Sequence, residues 1–382
     1  MARQAQRRHA GLRPPRILIL SASIGAGHDL PAEVLAAELR DTVPGVAVEV
    51  EDALAQVGPL LRAAVGSGSE FESRLGNLTF DLEHRLVMQR DRPRRLLSRG
   101  TALLATKPIA DFLERRRPDV IVSTWPGATE VLGAMRRAGR LTTPVISAIT
   151  DLASLWWWAH PGVDVHLVTH PESAAEIREI AGADAVVEPV RGLNDPRWAD
   201  PPPAAAARVA LGLPAGRRVV VVSGGGWGVG DLDGAVEEVL AREGTMAVVL
   251  VGTNAAARER LTARFAAAGN RVQVWGFTDR LPELFAAGDA LIHSTAGLTI
   301  LEALMTGLPA ISYGWGLGHI RLNNEAYARF GLAEVAATRP QLGRALDRAL
   351  ARPRTPDRSF AALPSAAEVV LRCHAERLLD RA

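Results

Sequence analysis

One stretch that follows an apolar strand carries the residue types that bind a diphosphate group. It follows Ala290-Leu291-Ile292 and reads His293-Ser294-Thr295-Ala296-Gly297-Leu298-Thr299-Ile300-Leu301-Glu302-Ala303-Leu304. Small residues at the bend leave backbone N–H groups open to a ligand, and the helix that begins there supplies the positive end of its dipole. Glu302, one turn into that helix, is placed to accept hydrogen bonds from a ribose diol. The segment therefore predicts half of a nucleotide-sugar site.

A second cluster of glycines follows the apolar strand that ends at Val222. It reads Ser223-Gly224-Gly225-Gly226-Trp227-Gly228-Val229-Gly230. Glycines let a ligand approach the backbone closely and permit positive φ angles. The spacing is not the dinucleotide GxGxxG, and the chain has no GxxxxGK[ST]. Such a turn alone is as often structural as functional, but its pairing with the Glu302 segment favours a binding role.

The first half of the chain offers two groups that could move a proton. His28 follows the strand Ile17-Leu18-Ile19-Leu20 and a glycine bend, so it begins a helix. It could act as a base, bind a phosphate or hydroxyl, or merely cap the helix. Asp151 follows the strand that ends at Thr150, where it could deprotonate an acceptor hydroxyl or cap a turn.

Three adjacent tryptophans, Trp156, Trp157 and Trp158, follow Asp151. Successive side chains diverge, so all three cannot face one core. We expect at least one to be exposed, which would suit an apolar acceptor or a membrane interface.

Composition narrows the class of protein. The 382 residues are enough for two domains, and 48% of them are hydrophobic and 23% charged. One cysteine, Cys373, excludes a disulfide framework and a cysteine zinc cluster. No apolar run approaches the roughly 20 residues that span a bilayer, and the basic start lacks the apolar core of a signal peptide. We expect a cytoplasmic protein, peripheral on the inner face of the plasma membrane.

The net charge is only +2, but basic residues concentrate between Arg85 and Arg117. That region holds ten basic residues and three acids. As a helical surface it could bind anionic lipid headgroups, and a solvated arginine-rich face is the alternative. With two tyrosines and no aromatic-and-basic RNA motif, the chain is not expected to bind nucleic acid.

Apolar runs alternate with helical segments along the whole chain, which is typical of parallel α/β domains. The expected strands are 16–21, 46–50, 119–123, 145–150 and 165–169, then 219–223, 247–251, 272–275, 290–293 and 309–313. One helix is expected over 254–268. We predict two Rossmann-like domains facing each other across a cleft, with the nucleotide in the second. The expected boundaries are a disordered basic tail (1–15), an acceptor-binding domain (16–195), a linker (196–207), a nucleotide-sugar domain (208–363) and a helix packing back on the first domain (364–382).

The order of the short motifs resembles a known family. The motifs are Gly25-Ala26-Gly27-His28, Thr150-Asp151-Leu152, His160-Pro161-Gly162-Val163-Asp164, Gly224-Gly225-Gly226, Gly276-Phe277 and Thr299-Ile300-Leu301-Glu302-Ala303-Leu304. Over residues 16–335 they are similar to the monogalactosyldiacylglycerol synthases and the bacterial processive diacylglycerol glucosyltransferases. The lipid II-forming N-acetylglucosaminyltransferase is a more distant relative.

The resemblance implies a GT-B fold and an inverting transfer from a UDP-sugar, with no cofactor and no essential metal. It places the catalytic base at Asp151 or His28. It implies donor contacts at Gly224, Gly225, Gly226, Phe277, Gly297, Leu298, Thr299, Glu302, His319 and Asn323, and acceptor contacts at Gly25, Gly27, Trp156 and Trp157. The expected function is transfer of a hexose to a lipid hydroxyl, with diacylglycerol the first candidate.

One residue and one segment depart from the family pattern. Asp29 stands where the family usually has a basic residue, and Gly318-His319-Ile320-Arg321-Leu322-Asn323 stands where it has a Gly-Gln-Glu segment that contacts the sugar. The identity of the sugar is therefore left open. The alternatives are transfer to a soluble apolar natural product, a UDP-sugar epimerase, and a non-catalytic nucleotide-sugar-binding protein.

Overall fold

A computed structural model describes residues 14–22, 26–57, 91–295, 297–314 and 319–379. For Ala26, residues 91–99, Thr101 and His319 it describes the backbone alone. The expected basic tail up to residue 13, Gly25 and the beginning of the basic region at Arg85 lie outside the described residues. The chain divides into two compact units, residues 1–194 with 362–382, and residues 195–361.

The first unit contains a six-stranded parallel sheet in the order β2-β1-β3-β4-β5-β6. The strands are β1 (Arg16–Ser21), β2 (Ala47–Asp52), β3 (Val120–Ser123), β4 (Val145–Ile149), β5 (Val165–Val168) and β6 (Val187–Pro189). The helices described in this unit are α1 (Ala26–Thr42), α2 (Ala53–Gln56), α3 (Asp91–Arg116), α4 (Pro126–Arg137), α5 (Ala174–Ala181) and the last helix of the chain, α14 (Ala366–Leu379).

The C-terminal helix α14 packs on this first unit although the second unit precedes it in the chain. Arg377 donates to the Thr142 carbonyl at 3.1 Å, and the Ala367 N–H lies 3.4 Å from a Glu38 carboxylate oxygen. Val369 and Val370 are fully buried. The helix thus adds both apolar and polar contacts to the first unit.

The second unit contains another six-stranded parallel sheet, in the order β12-β11-β10-β7-β8-β9. The strands are β7 (Arg218–Ser223), β8 (Thr245–Leu250), β9 (Val272–Trp275), β10 (Ala290–His293), β11 (Ala310–Tyr313) and β12 (Glu334–Ala336). The helices are α6 (Ala204–Ala210), α7 (Leu232–Leu240), α8 (Ala255–Arg264), α9 (Leu281–Ala287), α10 (Thr299–Thr306), α11 (His319–Phe330), α12 (Arg339–Ala351) and α13 (Ser359–Ala362). Residues 196–207, expected as a linker, hold a 3₁₀ turn with the buried Trp198 and the start of α6.

The inner strands of both sheets are buried on both faces because helices connect the parallel strands. Val219, Val220, Val221 and Val222 are all buried, for example. The second sheet has the classic Rossmann strand order, and its progression reverses between β7 and β10. In the first sheet the reversal lies between β1 and β3. The expected α/β class with two Rossmann-like domains is confirmed.

Two details differ from the expectations. The edge strands β6 and β12 were not predicted, because each has three residues and shows no run of apolar residues. The helix expected over 254–268 ends at Arg264 and gives way to a 3₁₀ turn over Ala266–Arg271. Gly269 within that turn has a φ of 58°, which an α-helix does not accept.

Candidate functional site

The glycine loop (residues 224–230) and the bend after β10 leave the second sheet side by side. β7 and β10 are paired with Ser223 opposite His293, so both loops emerge at the switch point of the strand order. A Cβ built on Gly225 would lie 2.9 Å from Thr295 Cγ2, and one on Gly230 would lie 2.5 Å from Ser294 Cβ. The two loops therefore pack with no room for side chains at these glycines. Ligands of open α/β sheets bind at this kind of position.

Helix α10 begins at this bend without a side-chain cap. Leu298 occupies its N-cap and offers no oxygen to the first N–H groups of the helix. Those N–H groups, with the helix dipole, form a site suited to an anion. Gly297, Leu298 and Thr299 form the beginning of this helix, and their diphosphate contact, like that of Gly224, Gly225 and Gly226, stays a prediction.

The loop after β8 holds the glycine loop in place. The Gly226 carbonyl accepts hydrogen bonds from the Thr253 N–H at 2.9 Å and the Thr253 hydroxyl at 3.1 Å. The Asn254 side chain donates to the Trp227 carbonyl at 3.1 Å. Sequence motifs gave no sign of this support, because it comes from another strand of the sheet.

The far end of the glycine loop is fixed by Asp231. Its carboxylate caps α7 at the Gly234 N–H, 2.8 Å away, and accepts a hydrogen bond from the Tyr313 hydroxyl at 2.7 Å. Burial and the neighbouring Asp231 charge raise the pKa of Tyr313 well above its usual value, so the hydroxyl stays a donor. The contact joins the end of β11 to the glycine loop.

The other predicted donor residues lie in different surroundings. Glu302 is in the first turn of α10, as expected, and only 7% exposed. Phe277 follows β9 and is 74% exposed. Asn323 is fully buried in α11, whereas the side chain of His319, at the start of that helix, is outside the described part of the structure. Their roles as donor contacts stay predictions.

His293 lies directly under the bend. It is fully buried, and burial lowers its pKa to about 4, so the imidazole is neutral near pH 7. Its Nδ1 is 3.4 Å from the Thr295 hydroxyl. Within the described residues Nε2 has no hydrogen-bond partner.

In the first unit, His28 bridges the switch point of the sheet. Its Nδ1 is 3.0 Å from the carbonyl oxygen of Thr124, the residue after β3, while His28 itself follows β1. A carbonyl only accepts, so Nδ1 carries the hydrogen and the lone pair of the neutral ring is on Nε2. The adjacent Asp29, which departs from the family pattern, accepts a hydrogen bond of 2.5 Å from the Ser21 hydroxyl.

One indole contacts both candidate bases. The Trp158 Nε1–H donates to Asp151 Oδ2 at 3.1 Å, and the Trp158 ring centroid is 5.8 Å from that of His28. Asp151 and His28 come from loops after different strands, β4 and β1. The structure therefore brings the two predicted catalytic residues to one place, around a residue that the sequence did not single out.

The predicted acceptor residues are partly accessible. Trp156 and Trp157 are half-buried, with ring centroids 4.8 Å apart, while Trp158 is buried. Gly27 is exposed in the first turn of α1, and Gly25 is outside the described residues. Their contacts with an acceptor remain predictions.

The His160-Pro161-Gly162 motif is held by hydrogen bonds within its own unit. His160 Nδ1 accepts from the Gly162 N–H at 2.9 Å, and the His160 N–H donates to His166 Nε2 at 3.3 Å. Burial lowers the pKa of both histidines, that of His166 to about 4. Both rings are therefore acceptors near pH 7, which fits a role in shaping the turn.

In the ranges that the structure covers, no helix is both long and apolar enough to span a membrane. Over the same ranges no group of three or more His, Cys, Asp or Glu residues is arranged to hold a metal ion.

Two solved glycosyltransferase structures have a similar architecture. The glycosyltransferase SnogD from Streptomyces nogalater is 18% identical, with a TM-score of 0.53, and the match covers 95% of this chain and 100% of that one. MurG from Acinetobacter baumannii is 15% identical, with a TM-score of 0.55 over 96% of this chain and 99% of that one. At these identities the likeness shows the fold, which is GT-B.

Family models match both halves of the chain. Residues 28–189 match the model of monogalactosyldiacylglycerol (MGDG) synthase, and residues 218–342 match that of glycosyl transferases group 1. Each match covers less than half of the chain. The resemblance predicted from the motifs is confirmed.

Curated relatives extend the same resemblance. The processive diacylglycerol beta-glucosyltransferase of Bacillus subtilis is 27% identical over 55% of this chain and 55% of its own length. The protein of the same name from Staphylococcus aureus strain MRSA252 is 22% identical over 85% of this chain and 81% of its own length. The match thus spans little more than half of the first relative.

Proposed function

We propose that this protein transfers a hexose from a UDP-sugar to a hydroxyl group of a lipid, with diacylglycerol as the first candidate acceptor. The observation that carries the proposal is the pairing of the glycine loop with the uncapped start of α10 at the switch point between β7 and β10. The lipid acceptor is supported by the MGDG synthase match and by the names of the curated relatives.

The donor half supplies leaving-group stabilisation. Backbone N–H groups of the glycine loop and of residues 297–299 hold the diphosphate, whose charge grows as the anomeric C–O bond breaks. Glu302 accepts from the ribose hydroxyls, and the backbone near Phe277 contacts the uracil. The buried, neutral His293 adds no charge beneath the bend.

The acceptor half supplies the base. Asp151 or Nε2 of His28 takes the proton of the acceptor hydroxyl. The hydroxyl oxygen then attacks the anomeric carbon from the face opposite the diphosphate, so UDP leaves and the configuration inverts. The two groups share Trp158, so the geometry supports either assignment.

The surface of α3 supports a peripheral membrane contact. Leu103 and Leu104 are 73% and 69% exposed, and Lys107 on the next turn is also exposed. Apolar side chains beside basic ones favour an anionic lipid interface. We expect Leu104→Glu to reduce flotation with anionic vesicles, while Val209→Glu, on α6 and 84% exposed, leaves it unchanged. Equal flotation of the original protein and both variants would exclude this surface of α3 as the membrane contact.

A transfer assay tests the function. The protein is incubated with UDP-glucose, UDP-galactose or UDP-N-acetylglucosamine and with vesicles containing diacylglycerol, and the lipids are analysed by mass spectrometry. A glycosylated lipid from one donor supports the proposal and names the sugar. Transfer to soluble aglycones alone would show that the acceptor is a soluble molecule and not a lipid. Conversion of the UDP-sugar to its epimer in the absence of an acceptor would indicate an epimerase. Tight UDP binding with no product from any acceptor would indicate a non-catalytic protein.

A further inference from the structure

We propose that Trp158 is a positioning residue for the transfer reaction, which orients the Asp151 carboxylate through its indole N–H and supports the His28 ring. The inference rests on the proposed function, since it assumes that Asp151 or His28 receives the acceptor proton. It assigns a role in catalysis to a buried tryptophan.

The contacts of Trp158 carry the proposal. Its Nε1–H is 3.1 Å from Asp151 Oδ2, a distance for a hydrogen bond to a charged acceptor. Its ring centroid lies 5.8 Å from that of His28 at an angle of 49°, within the range of aromatic pairs. The side chain is 1% exposed, so the N–H cannot satisfy itself with bulk water and depends on the carboxylate.

Trp158 is itself held from two directions. Its carbonyl accepts a hydrogen bond from the Ser147 hydroxyl at 2.9 Å, and its N–H donates to the Leu155 carbonyl at 2.9 Å. Its side chain belongs to a buried apolar cluster with Ile149 and Ile177. The hydrogen bonds fix the backbone and the apolar cluster restricts the indole, so a carboxylate bonded to the indole is restricted too.

The hydrogen bond also distinguishes the two carboxylate oxygens. Since Oδ2 accepts from the indole, we assign Oδ1 of Asp151 as the oxygen that receives the proton. The electron pair of the acceptor O–H bond then forms the new bond to the anomeric carbon, and the pair of the breaking C–O bond leaves with UDP. Without the indole, the carboxylate can rotate and presents either oxygen in more than one direction.

The variant Trp158→Phe removes the N–H and keeps an aromatic ring. We expect kcat to fall about 10- to 100-fold, in line with the loss of a hydrogen bond to a charged group, with the donor KM within about twofold of the original. The matched control is Trp198→Phe, the same change at a buried tryptophan that packs edge-on against Phe285 in the second unit. Its kcat should change by less than about twofold.

A double-mutant cycle with Asp151→Asn separates positioning from general loss of structure. If Trp158 acts through Asp151, adding Trp158→Phe to Asp151→Asn should lower kcat by less than about twofold. An unchanged kcat in Trp158→Phe alone, or the same fold-loss in both backgrounds, would overturn the proposal. If Asp151→Asn is fully active, the base assignment to Asp151 fails before Trp158 is judged.

A spectroscopic measurement covers the case in which Trp158→Phe does not fold. In protein labelled with ¹⁵N-tryptophan, one of the eight indole N–H resonances should move on Asp151→Asn, because its acceptor changes from a carboxylate to an amide. If no indole resonance moves, the contact and the proposal both fail. This readout needs no turnover, so an inactive wild-type protein would defeat the proposed function while the contact could still be tested.

Discussion

Substitution of Gly252 by alanine should damage the donor site although Gly252 is not itself expected to contact the donor. Gly252 lies in the loop that supports the glycine loop, with a φ of 57°. A Cβ at this position would be 2.1 Å from the Gly226 carbonyl oxygen and 2.3 Å from its carbon. Both are backbone atoms, so no side-chain rotation relieves the clash.

The magnitude follows from two separate costs. A left-handed conformation costs an alanine about 1–2 kcal/mol relative to glycine. To restore an ordinary contact distance, the Gly226 peptide must also move by about 1 Å or more, since carbon contacts are optimal beyond about 3.5 Å. That movement disturbs the N–H groups assigned to the diphosphate. Loss of one hydrogen bond to a charged ligand should weaken UDP binding about 10- to 100-fold.

The control is Gly244→Ala in the same unit. Gly244 has a φ of 69°, and a Cβ there would meet nothing within 4 Å. Gly244→Ala therefore has the cost of a left-handed backbone conformation but no steric clash. Calorimetric titration with UDP and thermal unfolding of both variants separate binding from stability. We expect both to unfold at lower temperature than the original protein, and Gly252→Ala alone to lose UDP affinity. Equal UDP affinity in the two variants would refute the reasoning that the glycine loop forms the donor site.

Three further predictions concern other parts of the molecule. Arg354→Met should lower the free energy of unfolding of the second unit by about 2–4 kcal/mol in urea titrations. The reason is that the Arg354 guanidinium donates hydrogen bonds to four carbonyls, those of Phe285, Ala286, Gly288 and Thr306. The control is Arg352→Met at an exposed arginine, and an equally small loss in both variants would contradict the prediction. Glu302→Ala should weaken UDP binding by about 1–3 kcal/mol in calorimetry, and an unchanged dissociation constant would remove Glu302 from the ribose site. Thermal stability should fall as the pH drops from about 6.5 towards 4. Burial lowers the pKa of His166, His170 and His293 in the folded protein to about 4. Between about pH 6.5 and pH 4 these three imidazoles therefore bind protons only in the unfolded chain, which favours unfolding. Since neither ring nitrogen of the buried His170 has a partner within the described residues, His170→Phe should make this pH dependence shallower, and an unaltered dependence would contradict the assignment.

The elements around the site were predictable because parallel strands are buried on both faces and appear as short apolar runs. Strands β1 and β10 begin and end where the sequence placed them, and so does the half-buried edge strand β9. The edge strands β6 and β12 have only three residues each, so they carry too little apolar pattern to be recognised. The end of α8 was missed because helical composition continues past Arg264 while the backbone turns at Gly269.

The candidate site was predictable where its chemistry depends on local order. Glycines after a strand and a carboxylate one turn into a helix are local features, and they identified the glycine loop and Glu302. Other contacts are not marked by a recognisable motif. The link from Trp158 to Asp151 lies within the loop between β4 and β5, but the three neighbouring tryptophans are equivalent in sequence. The link from Tyr313 to Asp231 joins residues 82 positions apart.

Titration of the purified protein with UDP and UDP-hexoses, without added metal, tests the central claim most directly. We expect UDP and one UDP-hexose to bind at a single site with micromolar affinity, and Gly252→Ala to weaken the binding of both. No heat of binding with UDP or any UDP-hexose would contradict the assignment of the glycine loop and the start of α10 as a UDP-sugar site.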